Sequence, residues 1–146
     1  MPNNLFPCIT RVARGWLSHL TVYGDDYPTA DGTGVRDYLH VDDLARAHVQ
    51  AMDYVTHQPP GFQAMNLGTG RGTSVLELVQ AFEQASGVKV PVKVAPRRAG
   101  DVASMWADPS LAHRVLRWKA ERSLTAMCED GWRWQVRNPE GFQGRI

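Results

Sequence analysis

The sequence has 146 residues, 43% of them hydrophobic and 21% charged, with a formal net charge of +1. This is typical of one globular domain, long enough to bury about 70% of its unfolded surface. Scattered arginines, and no apolar run near the ~20 residues of a membrane span, argue against a nucleic-acid-binding or membrane protein. The start of the sequence lacks the basic-then-apolar pattern of a secretory signal. Cys8 and Cys128 both lie in apolar helical contexts, so we expect two buried, reduced cysteines in a cytoplasmic protein.

The first 40 residues are predicted to form a helix and two strands around a polar loop. The helix can be capped by Asn3 or Asn4 and carries apolar residues at helical spacing. Both strands are short and bounded by polar residues. The predicted bounds are a helix ending near residues 15–16, a strand at 20–23, the loop at 24–34 and a strand at 35–40.

A second helix is predicted to start at Asp42, whose carboxylate can cap its first turn. Pro59-Pro60-Gly61 ends it. Five of its residues recur at helical spacing and are expected to form the face that packs on the core. They are Leu44, His48, Ala51, Met52 and Val55.

The rest of the chain continues the alternation of strands and helices, so the predicted fold class is α/β. Phe62 to Leu67 is predicted as a buried strand. Ser74 and Glu77 form a capping box at the start of a helix that Gly87 ends. The remaining predicted elements are a strand at 88–95, a short helix opened by Asp108-Pro109 and a last helix that begins at Ser123.

Two sequence features imitate binding motifs. Gly68-Thr69-Gly70-Arg71-Gly72 lies between a strand and a helix, but its G-x-G-x-G spacing and the lack of a later acidic strand end argue against a dinucleotide loop. A tight turn is the preferred interpretation.

Four aromatic residues suggest a stacking platform, yet two of them cannot share one helix face, so core and rim positions are favoured. They are Trp118, Trp132, Trp134 and Phe142.

Arg36 and Arg98 are candidates for binding a nucleoside diphosphate. Such a ligand carries about two negative charges, and planar guanidinium groups bind phosphate oxygens bidentately. Arg36 is predicted on a strand and Arg98 on a loop that leaves another strand, so both can converge on one site. From spacing alone, a surface salt bridge is the simpler interpretation of each.

The segment from Gly24 through Arg36 to Leu44 resembles the C-terminal half of the UDP-glucose 4-epimerases, NAD-dependent enzymes of the extended short-chain dehydrogenase type. The resemblance continues in three further motifs: Asn66-Leu67-Gly68-Thr69-Gly70, Pro96-Arg97-Arg98-Ala99-Gly100-Asp101 and Trp132-Arg133-Trp134-Gln135. It implies the substrate-binding part of such an enzyme, with the last strands and helices of an incomplete Rossmann-like sheet. A related decarboxylase or dehydratase is disfavoured, because the 24–38 run is characteristic of the epimerases.

The resemblance also implies roles for individual residues. Arg36 and Arg98 match the arginines that bind the diphosphate, and Asp101 matches the acid that accepts hydrogen bonds from the ribose hydroxyls. Arg97 should then point elsewhere. Met105 stands where the family has a Tyr or a smaller residue beside the sugar's 2-substituent, which leaves the fit of N-acetylated UDP-sugars open.

Four further positions match residues around the nucleotide. Asn4 and Leu5 correspond to residues that flank the diphosphate and the nucleoside. Thr21 and Tyr23 correspond to the edge strand that lies against uracil, where backbone groups bind the base.

The catalytic Tyr-x-x-x-Lys pair of the family is missing, because no Lys stands four residues after any of the four tyrosines. The resemblance places that pair and the glycine-rich NAD loop upstream of Met1. We therefore expect residues 1–146 to be a C-terminal fragment without catalytic, cofactor or metal residues of its own, inactive alone and without the family's homodimer interface.

The expected partners are UDP-glucose and UDP-galactose, with a separate N-terminal half as a further candidate and NAD as cofactor of the full-length family only. Two alternatives stay open: a non-catalytic nucleotide-sugar binding module and a functionless gene fragment. Without the rest of the sheet, segments 35–40 and 62–67 should present unpaired edges and an uncovered apolar face.

Overall fold

A computed structural model describes residues 4–141 of the chain. Helices and short strands alternate along it, which confirms the predicted α/β class. Asn3 and Phe142 lie outside the described residues. The helices are α1 (Leu5–Ala13), α2 (Val41–Thr56), α3 (Val75–Ser86), α4 (Ser110–Leu116) and α5 (Leu124–Arg137). The strands are β1 (Leu20–Tyr23), β2 (Val35–Arg36), β3 (Thr73–Ser74), β4 (Val92–Ala95) and β5 (Ser104–Met105).

The strands form two small sheets. In the first, β1 and β4 pair in parallel, with Leu20 opposite Val92 and Tyr23 opposite Ala95. In the second, β2 lies between β3, to which it is antiparallel, and β5, to which it is parallel. Because β2 pairs on both sides, it brings together three segments that are far apart in sequence.

The main core lies between α1, α3, α5 and β1. Phe82 of α3 is fully buried and meets Phe6 and Trp132 edge to face, with ring centroids 5.9 Å and 5.7 Å apart. Such edge-to-face pairs add stability beyond the burial of their area. The other members are Ile9, Val12, Leu20, Val22, Leu78, Val79, Val90 and Cys128.

The two cysteines differ in exposure. Cys128 is buried as predicted, and burial, together with the nearby Glu129 charge, raises the pKa of its thiol to about 11. Its thiolate is therefore scarce at neutral pH, and the residue serves as a small apolar group in the core. Cys8 is half-buried rather than buried.

The second core joins α2 to α4 and to the segment that follows α4. Ala47, Ala112, Leu116 and Trp118 form its buried cluster. The Trp118 indole Nε1 donates a hydrogen bond of 2.8 Å to the backbone oxygen of Asp43. The buried indole is thus satisfied within the core, so it has a structural role.

The Asp43 carboxylate organises this second core. Only 1% of Asp43 is exposed, and its Oδ2 accepts hydrogen bonds from the backbone N–H groups of Glu121 at 3.1 Å and Arg122 at 2.9 Å. Its Oδ1 accepts one of 2.6 Å from Nη2 of Arg46. Burial alone would raise the pKa of Asp43, but these hydrogen bonds outweigh it and hold the pKa below its ordinary value.

The start and the inner face of α2 differ from the prediction. The N-cap is His40 instead of Asp42, because the His40 Nδ1 accepts the Asp42 backbone N–H at 3.0 Å. Asp43 and Ala47 are the buried residues of the helix, whereas Met52 is 70% exposed. The apolar stripe exists, but nothing within residues 4–141 covers it. The predicted inner face is therefore wrong for Leu44, His48, Met52 and Val55, while Ala51 is half-buried.

The strand predictions succeed where a partner strand is present. Residues 20–23 form the expected strand, but the strand predicted at 35–40 shortens to Val35–Arg36 and the one at 88–95 to Val92–Ala95. No strand is found at 62–67, since no described segment pairs with it. Strands need a ladder partner, which local pattern cannot supply.

The predicted starts of α3 and α5 are confirmed, whereas α4 begins at Ser110 with Pro109 as its N-cap, one residue later than the predicted Asp108 cap. The Ser74 hydroxyl accepts the Glu77 backbone N–H at 3.0 Å, and the Glu77 carboxylate accepts the Ser74 N–H at 2.7 Å. Gly87 ends this helix with φ of 70°, a left-handed conformation that favours glycine. Ser123 caps α5 through the Ala126 N–H. None of the described helices has the length and apolar character that a membrane crossing requires.

Replacing Asp43 by Asn is expected to lower the free energy of unfolding by about 2–4 kcal/mol near neutral pH, because buried N–H groups lose a charged acceptor. The pKa of Asp43 is lowered on folding, so its stabilisation is complete above the unfolded value of about 3.9 and is lost as pH falls through the folded value. Urea unfolding at about pH 7 and about pH 3 should show a smaller pH dependence for the variant. Asp53→Asn, on an exposed position of α2, is the control, and equal losses in both variants would contradict the assignment.

Candidate functional site

A cleft of about 690 Å³ lies between the start of α1, the edge of β1, β2 and the loop after β4. Seven of the eight sequence-predicted site residues line it. They are Asn4, Leu5, Thr21, Tyr23, Arg36, Arg98 and Asp101. The eighth, Met105, is not among the lining residues. It lies opposite Arg36 in the β2–β5 ladder and is 60% exposed.

The two sheets position the cleft's charged residues. Tyr23 ends β1 opposite Ala95, the last residue of β4, so the loop carrying Arg98 leaves the sheet beside Tyr23. The loop turns back at Gly100, whose φ is +87°, and the Asp101 N–H donates to the Arg98 backbone oxygen at 3.3 Å. The chain then enters β5, which pairs with β2 next to Arg36.

Asp101 lies between the two arginines. Its Oδ2 accepts a hydrogen bond of 3.0 Å from Nε of Arg98, and its Oδ1 is 3.9 Å from Nη2 of Arg36. The guanidinium carbon of Arg98 lies 4.6 Å from the centre of the Tyr23 ring. One carboxylate neutralises only one of the two positive charges, so this trio keeps a positive charge toward the cleft. Such a trio suits an anionic ligand.

Arg97 is confirmed to point away from the cleft's charged trio. Its Nε donates a hydrogen bond of 2.6 Å to Asp26, and its guanidinium carbon lies 4.2 Å from the centre of the Tyr27 ring. Hydrogen bonding and charge from Arg97 lower the pKa of Asp26 below its usual value. Arg97 therefore holds the 24–34 loop and leaves Arg98 as the arginine of this segment that meets Arg36.

Sequence reasoning missed several aromatic and apolar cleft residues. Tyr38 lines the cleft, and burial raises its pKa to about 12 although the Arg36 charge opposes this. The signal was present, because residues two apart in a strand share a face and Tyr38 follows Arg36 at that spacing. For cleft residues on other segments, no comparable sequence spacing pointed to the cleft. The other missed lining residues include Phe6, His19, Tyr27 and Val75.

The glycine-rich 68–72 turn is held by Asp37, which follows β2. The Asp37 carboxylate accepts hydrogen bonds from the Thr69 hydroxyl at 2.6 Å and from the Thr69 and Gly70 N–H groups at 3.0 and 3.2 Å. A side chain at Gly68 would clash with this carboxylate and with Ala107. The glycine there permits close packing, which agrees with the turn interpretation.

A cluster at the start of α2 has the composition of a metal site. Ligand atoms of His40, Asp42 and Asp130 lie within 4.8 Å of one another. Each is already engaged, because the His40 Nε2 meets Asp130 at 3.2 Å while Arg133 and Arg122 pair with Asp130 and Asp42. The cluster therefore links the start of α2 to α5 through the hydrogen bond between His40 and Asp130. Sequence patterns gave no signal for this cluster, because Asp130 lies far along the chain from His40 and Asp42.

Comparison with known proteins places this geometry in a family. The family model described as GDP-mannose 4,6 dehydratase matches residues 1–131. The UDP-glucose 4-epimerase of Drosophila melanogaster is 55% identical over 99% of this chain, which spans 41% of that protein's length. The Bacillus subtilis UDP-glucose 4-epimerase is 54% identical over 98% of this chain, which spans 42% of that protein's length.

Solved structures agree with these sequence matches. The Stenotrophomonas maltophila UDP-glucose 4-epimerase with bound NAD and formylated UDP-arabinopyranose superimposes with a TM-score of 0.90 and 55% identity over 94% of this chain and 41% of its own. The Bifidobacterium longum enzyme in complex with NAD+ and UDP has a TM-score of 0.90 and 49% identity over 97% of this chain and 42% of its own. The resemblance inferred from the motifs is confirmed. The chain belongs to the family described by the GDP-mannose 4,6 dehydratase model, within the extended short-chain dehydrogenase superfamily. Within that family it corresponds to the C-terminal part of the UDP-glucose 4-epimerases.

Proposed function

We propose that this chain supplies the UDP-sugar site of a UDP-glucose 4-epimerase, which interconverts UDP-galactose and UDP-glucose. The observation that carries the proposal is the convergence of Arg36, Arg98 and Asp101 in one cleft beside Tyr23. The Bifidobacterium longum relative was solved with UDP, which supports the same ligand class here.

In the proposed complex the diphosphate binds between Arg36 and Arg98. Both guanidinium groups now share Asp101, so each can turn a planar donor pair toward phosphate oxygens. Exchanging one carboxylate for a doubly charged diphosphate improves the charge balance of the cleft. It also releases Asp101, an acceptor-only carboxylate, to take hydrogen bonds from the ribose hydroxyls.

The first turn of α1 contributes the wall beside the diphosphate. Asn4 is the N-cap of a nine-residue helix, yet its side chain makes no capping hydrogen bond. The NH2 group of its side chain can donate hydrogen bonds, and the helix N-terminus adds a partial positive charge. Leu5 follows in the first turn and offers apolar contact to the nucleoside.

The outer edge of β1 suits the uracil ring. The N–H groups of Leu20 and Gly24 donate toward the β4 side, to Pro91 and Ala95. Since peptide groups alternate along a strand, those of Thr21 and Tyr23 point to the other edge, which no strand within residues 4–141 occupies. A uracil edge carries both a donor and acceptors, so this backbone can bind it. Met105, beyond Arg36 on β5, is then placed to contact the sugar.

Binding of UDP by the purified chain should be saturable, with Kd between micromolar and about 1 mM, or about −8 to −4 kcal/mol. Arg98→Ala should weaken it about 10- to 100-fold, because a charge-assisted hydrogen bond contributes about 1.5–3 kcal/mol. Calorimetric titration measures both. Arg97→Ala is the matched control, since the neighbouring arginine pairs with Asp26, and it should change Kd by less than about twofold. Equal effects of the two substitutions would contradict the proposed site.

Asp101 should determine the preference for a ribose nucleotide. The unsubstituted chain is expected to bind UDP about tenfold more tightly than 2′-deoxy-UDP, because the carboxylate accepts a hydrogen bond from the 2′-hydroxyl. Asp101→Ala should bring the ratio of the two dissociation constants close to one. Competition titrations give this ratio independently of overall affinity. An unchanged ratio in the variant would remove Asp101 from the ribose site.

By itself the chain is proposed to leave UDP-galactose unchanged, because its sequence has no Tyr-x-x-x-Lys pair, and to bind NAD negligibly, because it has no G-x-G-x-x-G loop. The assay uses chain purified free of host epimerase and follows UDP-glucose formation, with NAD titrated separately. Detectable turnover at a rate proportional to chain concentration would contradict the proposal. A binding module without catalysis is the second candidate, favoured because the cleft trio comes entirely from this chain. Binding of UDP without turnover fits both candidates, and complementation by the rest of an epimerase separates them.

A further inference from the structure

Asp37 directly follows β2, and its carboxylate accepts hydrogen bonds from two other segments. The 68–72 turn supplies the N–H and hydroxyl groups of Thr69 and the N–H of Gly70. The segment after β5 supplies the Ala107 N–H, at 3.3 Å. In the part of the chain that the structure describes, no ion pair includes this carboxylate. Asp37 therefore serves as a shared acceptor that ties the segments on both sides of β2 to the end of that strand.

The contacts of Asp37 call for a group that only accepts hydrogen bonds. An ionised carboxylate has about four lone-pair sites and no donor, so it can satisfy several N–H groups at once. An asparagine at this position would place its NH2 group against some of the same donors. The packing is also close, since a side chain at Gly68 would clash with the carboxylate and with Ala107. These contacts specify a carboxylate at position 37.

Asp37 holds the end of β5 against β2. The start of β5 is held by the Val35 N–H, which donates to the Ala103 backbone oxygen at 2.8 Å. Between the two points only two residue pairs join β5 to β2, and so short a ladder has little stability of its own. The bond from the Ala107 N–H to Asp37 thus fixes the end of β5 that the ladder leaves free.

The position of β5 determines where the Asp101 carboxylate lies. Asp101 precedes Ala103, the point at which β5 is first held, by two residues. The Arg36 guanidinium is tied to β2 itself, because its Nη1 donates to the Val35 backbone oxygen at 2.8 Å. The 3.9 Å between Nη2 of Arg36 and Oδ1 of Asp101 therefore depends on how β5 lies against β2.

We propose that Asp37 is a positioning residue of the nucleotide site. By holding β5 against β2, it places the Asp101 carboxylate where that group accepts hydrogen bonds from the ribose hydroxyls. This role rests on the proposed function, of which the ribose contact is a part. Asp37 is not among the residues that line the cleft, so it influences a bound nucleotide only through the residues that it places.

The test measures the ratio of the dissociation constants of 2′-deoxy-UDP and UDP by competition titration. The unsubstituted chain is expected to give a ratio of about ten. Asp37→Asn should lower it to about two or three, because the Asp101 carboxylate is no longer held at the ribose. A loss of stability alone lowers the fraction of binding-competent chain, which scales both constants equally and leaves their ratio unchanged. The ratio therefore separates positioning from stability.

Asp108→Asn is the matched control. Asp108 is exposed and lies next to Ala107, and its carboxylate accepts the Ser110 N–H at 2.9 Å just before α4. Its substitution should leave the ratio at about ten. In an Asp101→Ala background, Asp37→Asn should not change the ratio further, because both substitutions act on the same hydrogen bond to the ribose.

A ratio that stays near ten in Asp37→Asn would overturn the inference, as would an equal fall in Asp108→Asn. If Asp37→Asn does not fold, Thr69→Val takes its place. It removes the hydroxyl that donates to Asp37 at 2.6 Å, so the carboxylate is free to turn away from Ala107. The ratio should again fall, and an unchanged ratio in this variant would contradict the role of Asp37.

Failure of this inference differs from failure of the proposed site. If the unsubstituted chain binds UDP and 2′-deoxy-UDP equally, the ribose contact of Asp101 is refuted, and the positioning role of Asp37 with it. If the chain prefers UDP and Asp101→Ala removes the preference while Asp37→Asn keeps it, only the positioning role is refuted.

Discussion

The placement of β2 is the constraint on which the rest of the structure depends. This strand has only two residues, yet it pairs with β3 on one side and β5 on the other. A ladder so short has little stability of its own. Two carboxylates reinforce it. Asp31, before the strand, accepts hydrogen bonds from Thr33 and from the Ser74 hydroxyl, and Asp37, after it, holds the 68–72 turn and the Ala107 N–H.

The cleft proposed to bind the nucleotide follows from this arrangement. Because Val35 and Arg36 are fixed between two strands, the Arg36 guanidinium is directed toward the loop that leads into β5. That loop carries Arg98 and Asp101, and the Tyr23 ring supports the Arg98 guanidinium. Asp101 already links Arg36 and Arg98 in this structure. In the proposed complex, a diphosphate would exchange ion-pair partners with Asp101 without rearranging the backbone, which keeps the entropy cost of binding low.

The two sides of the molecule differ in completeness. On the side of α1, α3 and α5, aromatic and aliphatic side chains fill the core, and side-chain caps close the starts of α3 and α5. On the side of α2, a buried carboxylate and Trp118 stabilise the inner face, while the outer face and residues 62–67 stay uncovered. The described residues thus contain the charged trio of the cleft on one side and an apolar helix face exposed on the other.

Local sequence determined the features whose physics is local. The Ser74–Glu77 capping box, the Gly87 stop and the 20–23 strand were all predictable, because each depends on residues a few positions apart. The motif resemblance identified Arg36, Arg98 and Asp101, and the structure brings them together, but Met105 lies outside the cleft lining. Tertiary structure alone decided which face of α2 is buried and that residues 62–67 lack a ladder. It also decided that the Asp43 carboxylate accepts hydrogen bonds from the distant Glu121 and Arg122 N–H groups. An apolar stripe or an alternating segment indicates only that one of its faces must be covered. Burial and strand pairing depend on whether a partner is present, and no local pattern contains this information.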